Sequence, residues 1–174
     1  MIYKASNLIA EAFDAHNVKY RVEEMGKVSV VEAAFSVTAG PQVVVRFISD
    51  DDDNDVAVRV FGLICKVPDA KRAAVLEVCN TLSRTIRFYK FYLSEDNSVN
   101  VEADLPVRTD DCCVGECCFE LFLRIMKILD INYPLLAQAL YADPAPNEHK
   151  PAELLRLLSE LRDKPITSRE DKEN

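Results

Sequence analysis

Two pairs of adjacent cysteines, separated by three residues, are the most conspicuous candidates for chemistry in this sequence: Cys112, Cys113, Cys117 and Cys118. Four thiolates can hold a tetrahedral zinc ion when their spacing lets them converge. In a continuous helix Cys113 and Cys117 share one face, whereas Cys118 turns toward the core and Cys112 points roughly the opposite way. We therefore predict small core residues plus one or two thiols near a helix N-terminus. A metal or redox sensor using these four residues is the alternative.

The other polar groups do not form a recognisable catalytic constellation. The acidic run Asp50 to Asp53, with Asp55, lacks the glycine and the twelfth-position glutamate of a calcium loop, so we predict a solvated turn. His16 falls on the apolar stripe of a first helix and His149 in a proline-rich stretch, and no glycine-framed serine accompanies either. The four glycines are not spaced for a nucleotide loop. We predict a non-enzymatic protein without a cofactor, in which His16 is a core residue.

Length and charge restrict the partners. The chain has 174 residues, of which 49% are hydrophobic, and this is enough for one sizeable core. Its 29 acidic and 21 basic residues give a net charge of -8, which disfavours nucleic acid and anionic membranes as partners. The first fifteen residues lack the apolar run of a signal peptide, and we expect a cytoplasmic protein with reduced cysteines.

The residue pattern predicts an α+β fold. Apolar residues recur at helical spacing in three segments, residues 2–16, 68–84 and 114–129. Runs of β-branched and aromatic residues predict three or four strands before the second helix, at residues 18–22, 28–37, 42–49 and 56–64. Two more strands suit an antiparallel hairpin, at residues 88–93 and 99–105. The predicted order is α-β-β-β-α-β-β-α, with about five strands.

The composition changes toward the C-terminus. Asp110 or Asp111 can cap the third helix, and we expect Pro134 to end or kink it because proline lacks an amide donor. A shorter helical piece can follow over residues 135–141. A proline-rich stretch then precedes four leucines at helical spacing, and the last residues are mostly charged. We predict a folded domain over residues 1–142, a linker and amphipathic helix over 143–163, and a disordered tail over 164–174.

Three strings resemble a known family. Residues 80–84 (NTLSR) end the second helix, and residues 90–93 (KFYL) and 101–106 (VEADLP) flank the acidic hairpin turn. Together they resemble the YbjN family of bacterial proteins, described as sensory transduction regulators. The resemblance covers residues 1 to about 142 and implies a type III secretion chaperone-like fold, in which a twisted antiparallel sheet packs against helices. It allows a homodimer and implies no catalytic residues. Phe88 and Tyr89 stand where the family often has tryptophan and proline, and the cysteine group is not a family feature.

One side of the predicted sheet is a candidate binding surface. If Val43, Val45 and Phe47 face the helices, alternation turns a mixed basic and apolar set outward: Arg46, Ile48, Arg59 and Phe61. Three residues join them in one of the two hairpin registers that the sequence leaves open: Phe88, Lys90 and Tyr92. Such a surface is typical of protein interfaces, although ordinary cross-strand pairs beneath a helix or a dimer mate are the alternative. We predict a protein-binding regulatory or chaperone-like module that holds a partner polypeptide on this face or in a helix groove.

Overall fold

The computed structural model describes residues 2–50, 55–107 and 113–142. They belong to one compact unit, Met1–Ala142, and a second unit comprises Asp143–Asn174. The predicted linker, C-terminal helix and charged tail lie outside the described residues. The same holds for several residues considered above: Asp51, Asp52, Asp53, Asp110, Asp111, Cys112 and His149.

The described residues form three α-helices, a short 3-10 helix and six β-strands. The helices are α1 (Lys4–Ala15), α2 (Arg72–Thr85), which follows the 3-10 turn Asp69–Lys71, and α3 (Val114–Tyr141). The strands are β1 (Tyr20–Met25), β2 (Val28–Ser36), β3 (Gln42–Ser49), β4 (Asp55–Ile64), β5 (Lys90–Leu93) and β6 (Val99–Pro106). The predicted α+β class is confirmed.

All these strands join one antiparallel sheet in the order β1-β2-β3-β4-β6-β5. The described part of the sheet has six strands instead of about five, because the segment at residues 56–64 is a separate strand before α2. β1 begins two residues later than expected and continues to Met25. Pairing with β2 outweighs the weak strand propensity of Glu23 and Glu24.

The core lies between one face of the sheet and the helices. Phe13 of α1 packs edge-on against Phe47 of β3, with 5.5 Å between ring centroids. Phe122 of α3 contacts both Phe13 and Phe35 of β2, at 5.5 and 5.9 Å between centroids. α2 packs against β5 and α3 at the other end of the sheet. The helices therefore cover the side on which Phe35 and Phe47 lie.

A glycine allows α1 and α3 to approach closely. A Cβ atom at Gly115 of α3 would lie 2.2 Å from the Leu8 carbonyl oxygen and 2.9 Å from Ala12 Cβ. Neither contact is possible for a real side chain, and the Leu8 carbonyl is backbone that cannot rotate away. Gly115 therefore fixes the distance between the two helices that cover the sheet.

α3 continues through Pro134 to Tyr141. Of the two predicted outcomes at this proline, an end and a kink, the end is therefore wrong, and the predicted helical piece over residues 135–141 is part of α3. A proline inside a helix costs about 3 kcal/mol, because it removes one hydrogen bond and crowds the preceding turn. Leu136 and Leu140 beyond it are buried, and burial of each leucine contributes about 1.5–3 kcal/mol. Continued burial of the apolar stripe therefore offsets the proline, which local propensity alone could not predict.

Candidate functional site

Alternation in β3 and β4 determines which side chains point away from the helices. Val45 and Phe47 of β3, and Val58 of β4, are fully buried beneath the helices. The residues between them are more exposed and turn to the other side of the sheet, which we call the open face: Arg46, Ile48, Arg59 and Phe61. The structure thus brings these four predicted residues together on one surface.

A row of charged residues crosses the open face from one edge strand to the other. Successive strands place these residues directly opposite one another, in the order Arg21, Glu32, Arg46, Arg59, Glu102 and Lys90. Opposite charges at facing positions stabilise a sheet, whereas the like charges of the facing residues Arg46 and Arg59 repel each other. Four of the six are basic, although the chain as a whole is acidic.

Glu32 holds the first half of this row together. Its carboxylate accepts hydrogen bonds of 2.5 Å from Arg21 Nη2 and 2.5 Å from Arg46 Nε, one at each oxygen. Burial acts to raise the pKa of Glu32, but the hydrogen bonds from Arg46 and Arg21 outweigh burial and hold the pKa below its usual value of 4.5. Glu32 is therefore ionised at neutral pH and anchors both arginines.

Arg59 is anchored separately on the far side of Arg46. Its Nη2 donates to Asp104 Oδ1 at 2.6 Å, and its Nη1 donates to the Ala103 carbonyl at 2.8 Å. Arg46 and Arg59 thus bond to different carboxylates, those of Glu32 and Asp104, which offsets the repulsion between the two facing guanidinium groups.

Phe61 is the large exposed apolar side chain of this surface, with 50% of its area accessible. The Arg46 guanidinium carbon lies 5.5 Å from the centroid of the Phe61 ring, a cation–π contact. The strand then bulges, since the register shifts between Val60 and Ile64 and Gly62 has a φ of 65°. The Gly62 amide donates to Asn100 Oδ1 at 2.7 Å, which fixes the bend just after Phe61.

The three candidate residues in and before β5 do not all lie on the open face. Lys90 and Tyr92 face Glu102 and Asn100 of β6, in line with the open face. The Lys90 ammonium nevertheless donates to the Ser83 carbonyl at 2.7 Å, at the end of α2. Phe88 precedes the strand, and its ring lies 5.9 Å from the Arg124 guanidinium of α3. The expectation that Phe88 shares this face is therefore wrong, because the chain bends before β5 begins.

Sequence reasoning missed Arg21, Glu32 and Glu102 as members of the row. Glu32 carried a signal, since it is a single charge inside the apolar run of β2 (VSVVEAAFS). A buried charge requires a partner, but the identity of its partners depends on strand register, which the pattern of residues does not determine.

The sequence model of the YbjN family, described as "Putative bacterial sensory transduction regulator", matches residues 6–111. This is more than half of the chain. The chain belongs to the YbjN family. No curated protein matches it. The likeness of YbjN proteins to type III secretion chaperones stays a prediction for this chain.

The YbjN match ends before the cysteine group and before α3. Cys113 and Cys117 are exposed at the start of α3, whereas Cys118 is buried. Burial raises the pKa of Cys118 to about 12, with a smaller effect of neighbouring Cys117, so this thiol stays protonated. Within residues 2–50, 55–107 and 113–142, no three His, Cys, Asp or Glu side chains are placed to hold a metal ion.

His16 lies at the surface, so its predicted core position is wrong. It follows the end of α1, its ring stacks on Phe119 with 3.8 Å between centroids, and Nε2 lies 3.0 Å from Glu116 Oε2. These contacts join the end of α1 to the start of α3.

In the part of this YbjN chain that the structure describes, no helix is long and apolar enough to cross a membrane.

Proposed function

We propose that this YbjN-family chain is a non-enzymatic regulatory module that binds a partner polypeptide across the open face. The carrying observation is the half-exposed Phe61 ring beside the Arg46 guanidinium, with Arg59 two residues earlier on the same side of β4. Arginine and aromatic residues in one patch are typical of the few residues that supply most of the energy at protein interfaces.

The arginines are held in place before a partner arrives. Glu32 fixes Arg46 and Asp104 fixes Arg59, so neither side chain loses much rotamer freedom on binding. A guanidinium has five N–H donors, and those not used within the sheet can donate to carbonyl or carboxylate oxygens of the partner. We expect a partner segment with an apolar side chain for Phe61 and acceptors for the arginines.

The family description supports a regulatory role, since the matching model is described as "Putative bacterial sensory transduction regulator".

Affinity capture with the tagged full chain tests the proposal, with two matched variants. Phe61→Ala removes the exposed ring of the open face, and Leu76→Ala removes a side chain of α2 that is equally exposed, at 49%. We expect the wild type and Leu76→Ala to retain the same polypeptide. Phe61→Ala should bind it at least tenfold more weakly, a loss of about 1.4 kcal/mol or more.

Two results would contradict this function. If Leu76→Ala weakens binding and Phe61→Ala does not, the partner binds the helices instead of the open face. If the chain retains no polypeptide beyond those retained by an unrelated acidic domain, the proposal of a protein-binding module fails.

A further inference from the structure

The two edge strands of the sheet, β5 and β1, differ in the hydrogen bonding of their outer backbone. β5 ends one side of the described sheet, and its outer backbone is already bonded to α2. The Phe91 amide donates to Ser83 Oγ at 2.8 Å, and the Ser83 hydroxyl donates to the Phe91 carbonyl oxygen at 2.9 Å. A helix side chain thus takes the place of a neighbouring strand, which is a common way to protect an edge.

β1 ends the other side and presents its backbone outward. The loop between β1 and β2 has two residues, with Gly26 at a φ of 65°, so Met25 and Val28 form the hydrogen-bonded pair that closes the hairpin. Hydrogen-bonded pairs alternate along an antiparallel ladder, and the Val22 amide and carbonyl therefore point away from β2. Among the described residues, no backbone group bonds to Val22 on that outer side.

The sequence of β1 is complementary to itself. Within one copy Arg21 Nε already lies 3.1 Å from Glu23 Oε1. If two copies pair in antiparallel fashion about an axis at Val22, Arg21 of each copy also lies opposite Glu23 of the other, so the four charges alternate in sign around the axis. Facing positions of opposite charge stabilise such a pair, and the two-fold axis forms this pair twice. β1 also keeps a continuous register with β2 and contains no proline, two conditions that an added strand requires.

We propose that β1 pairs with β1 of a second copy of this chain, centred on Val22, and joins the two sheets into one. The open faces of both copies would then be continuous across the pair. A single strand pair buries a small interface, so the dimer should form in a concentration-dependent manner.

Sedimentation velocity of the full chain over a concentration series tests the pairing through charge. Glu23→Arg would place Arg21 opposite an arginine, and Arg21→Glu would place a glutamate opposite Glu23. We expect each variant alone to dimerise at least tenfold more weakly than the wild type. An equimolar mixture of the two should recover the dimer, because each interface position again combines opposite charges.

Val22→Pro is a second variant that does not depend on charge. Its missing amide lies on the outer side, where an edge strand tolerates proline, so the β1–β2 ladder is kept. We expect a monomer with an unchanged far-UV circular dichroism spectrum. Three results would overturn the proposal: a wild type that is monomeric at every concentration, a dimer that persists in Val22→Pro, or a variant mixture that stays monomeric. In the first of these cases, slow exchange of the Val22 amide in the monomer would indicate another occupant of this edge.

Discussion

The two faces of β3 and β4 are made of alternate residues of the same strands, yet different interactions stabilise them. On the helix-covered face, Val45, Phe47 and Val58 are buried by apolar contacts with α1 and its neighbours. On the open face, Arg46 and Arg59 are held by separate carboxylates. The covered face stabilises the fold through area removed from water, which needs no partner of defined geometry. The open face depends on matched pairs, and it leaves an aromatic ring exposed.

The largest expected difference between the faces is at two neighbouring residues of β3. Phe47→Ala should lower the free energy of unfolding by about 3–5 kcal/mol, because it empties a buried site against Phe13. Ile48→Ala, on the open face, should cost only about 1 kcal/mol. Urea unfolding of both variants measures the difference. Equal losses would mean that the open face is covered as completely as the other.

The sequence was sufficient for those features of the fold that depend on local pattern. β3 was predicted at residues 42–49 and occurs there, because alternating apolar residues are bounded by a glycine–proline turn and an acidic turn. The placement of Arg46, Ile48, Arg59 and Phe61 on one face follows from the same alternation. These residues needed no knowledge of neighbouring strands.

The remaining features depend on contacts between distant residues. Glu32 meets Arg46 only because β2 and β3 pair in one register, and many registers satisfy the same residue pattern. α3 passes Pro134 because the later turns are buried, which propensity does not include. The residue pattern predicts β5 from residue 88, two residues before the strand begins, and in one of the two open registers this places Phe88 on the open face.

Glu32 should show the second-largest effect, and one that the covered face cannot show. Glu32→Gln removes the charge that anchors Arg21 and Arg46, and should lower the free energy of unfolding by about 2 kcal/mol at neutral pH. The folded-state pKa of Glu32 lies below its usual 4.5. Its stabilisation is therefore complete above that pH and is lost as the pH falls through the folded-state value.

The measurement is the difference in unfolding free energy between the wild type and Glu32→Gln from pH 7 down to pH 3. The difference should shrink as the pH falls below about 4.5, the usual pKa of this carboxyl. Glu77→Gln on the exposed side of α2 is the control and should stay within about 0.5 kcal/mol of the wild type. A difference independent of pH would show that Glu32 acts by its shape and not by its charge.

Substitution of Lys90 should have the smallest effect on stability, and its effect on binding shows whether Lys90 belongs to the binding surface. Its side chain starts from a position in line with the open face, but its ammonium bonds to the Ser83 carbonyl at the C-terminal end of α2, where the helix dipole favours a positive charge. Lys90→Gln should therefore cost about 0.5 kcal/mol of stability and leave the affinity for the captured polypeptide unchanged. Lys66→Gln, an exposed lysine outside the helices and strands, is the control for the loss of one positive charge. If Lys90→Gln weakens binding while Lys66→Gln does not, the binding surface extends to the β5 edge, and the division between the two faces ends there.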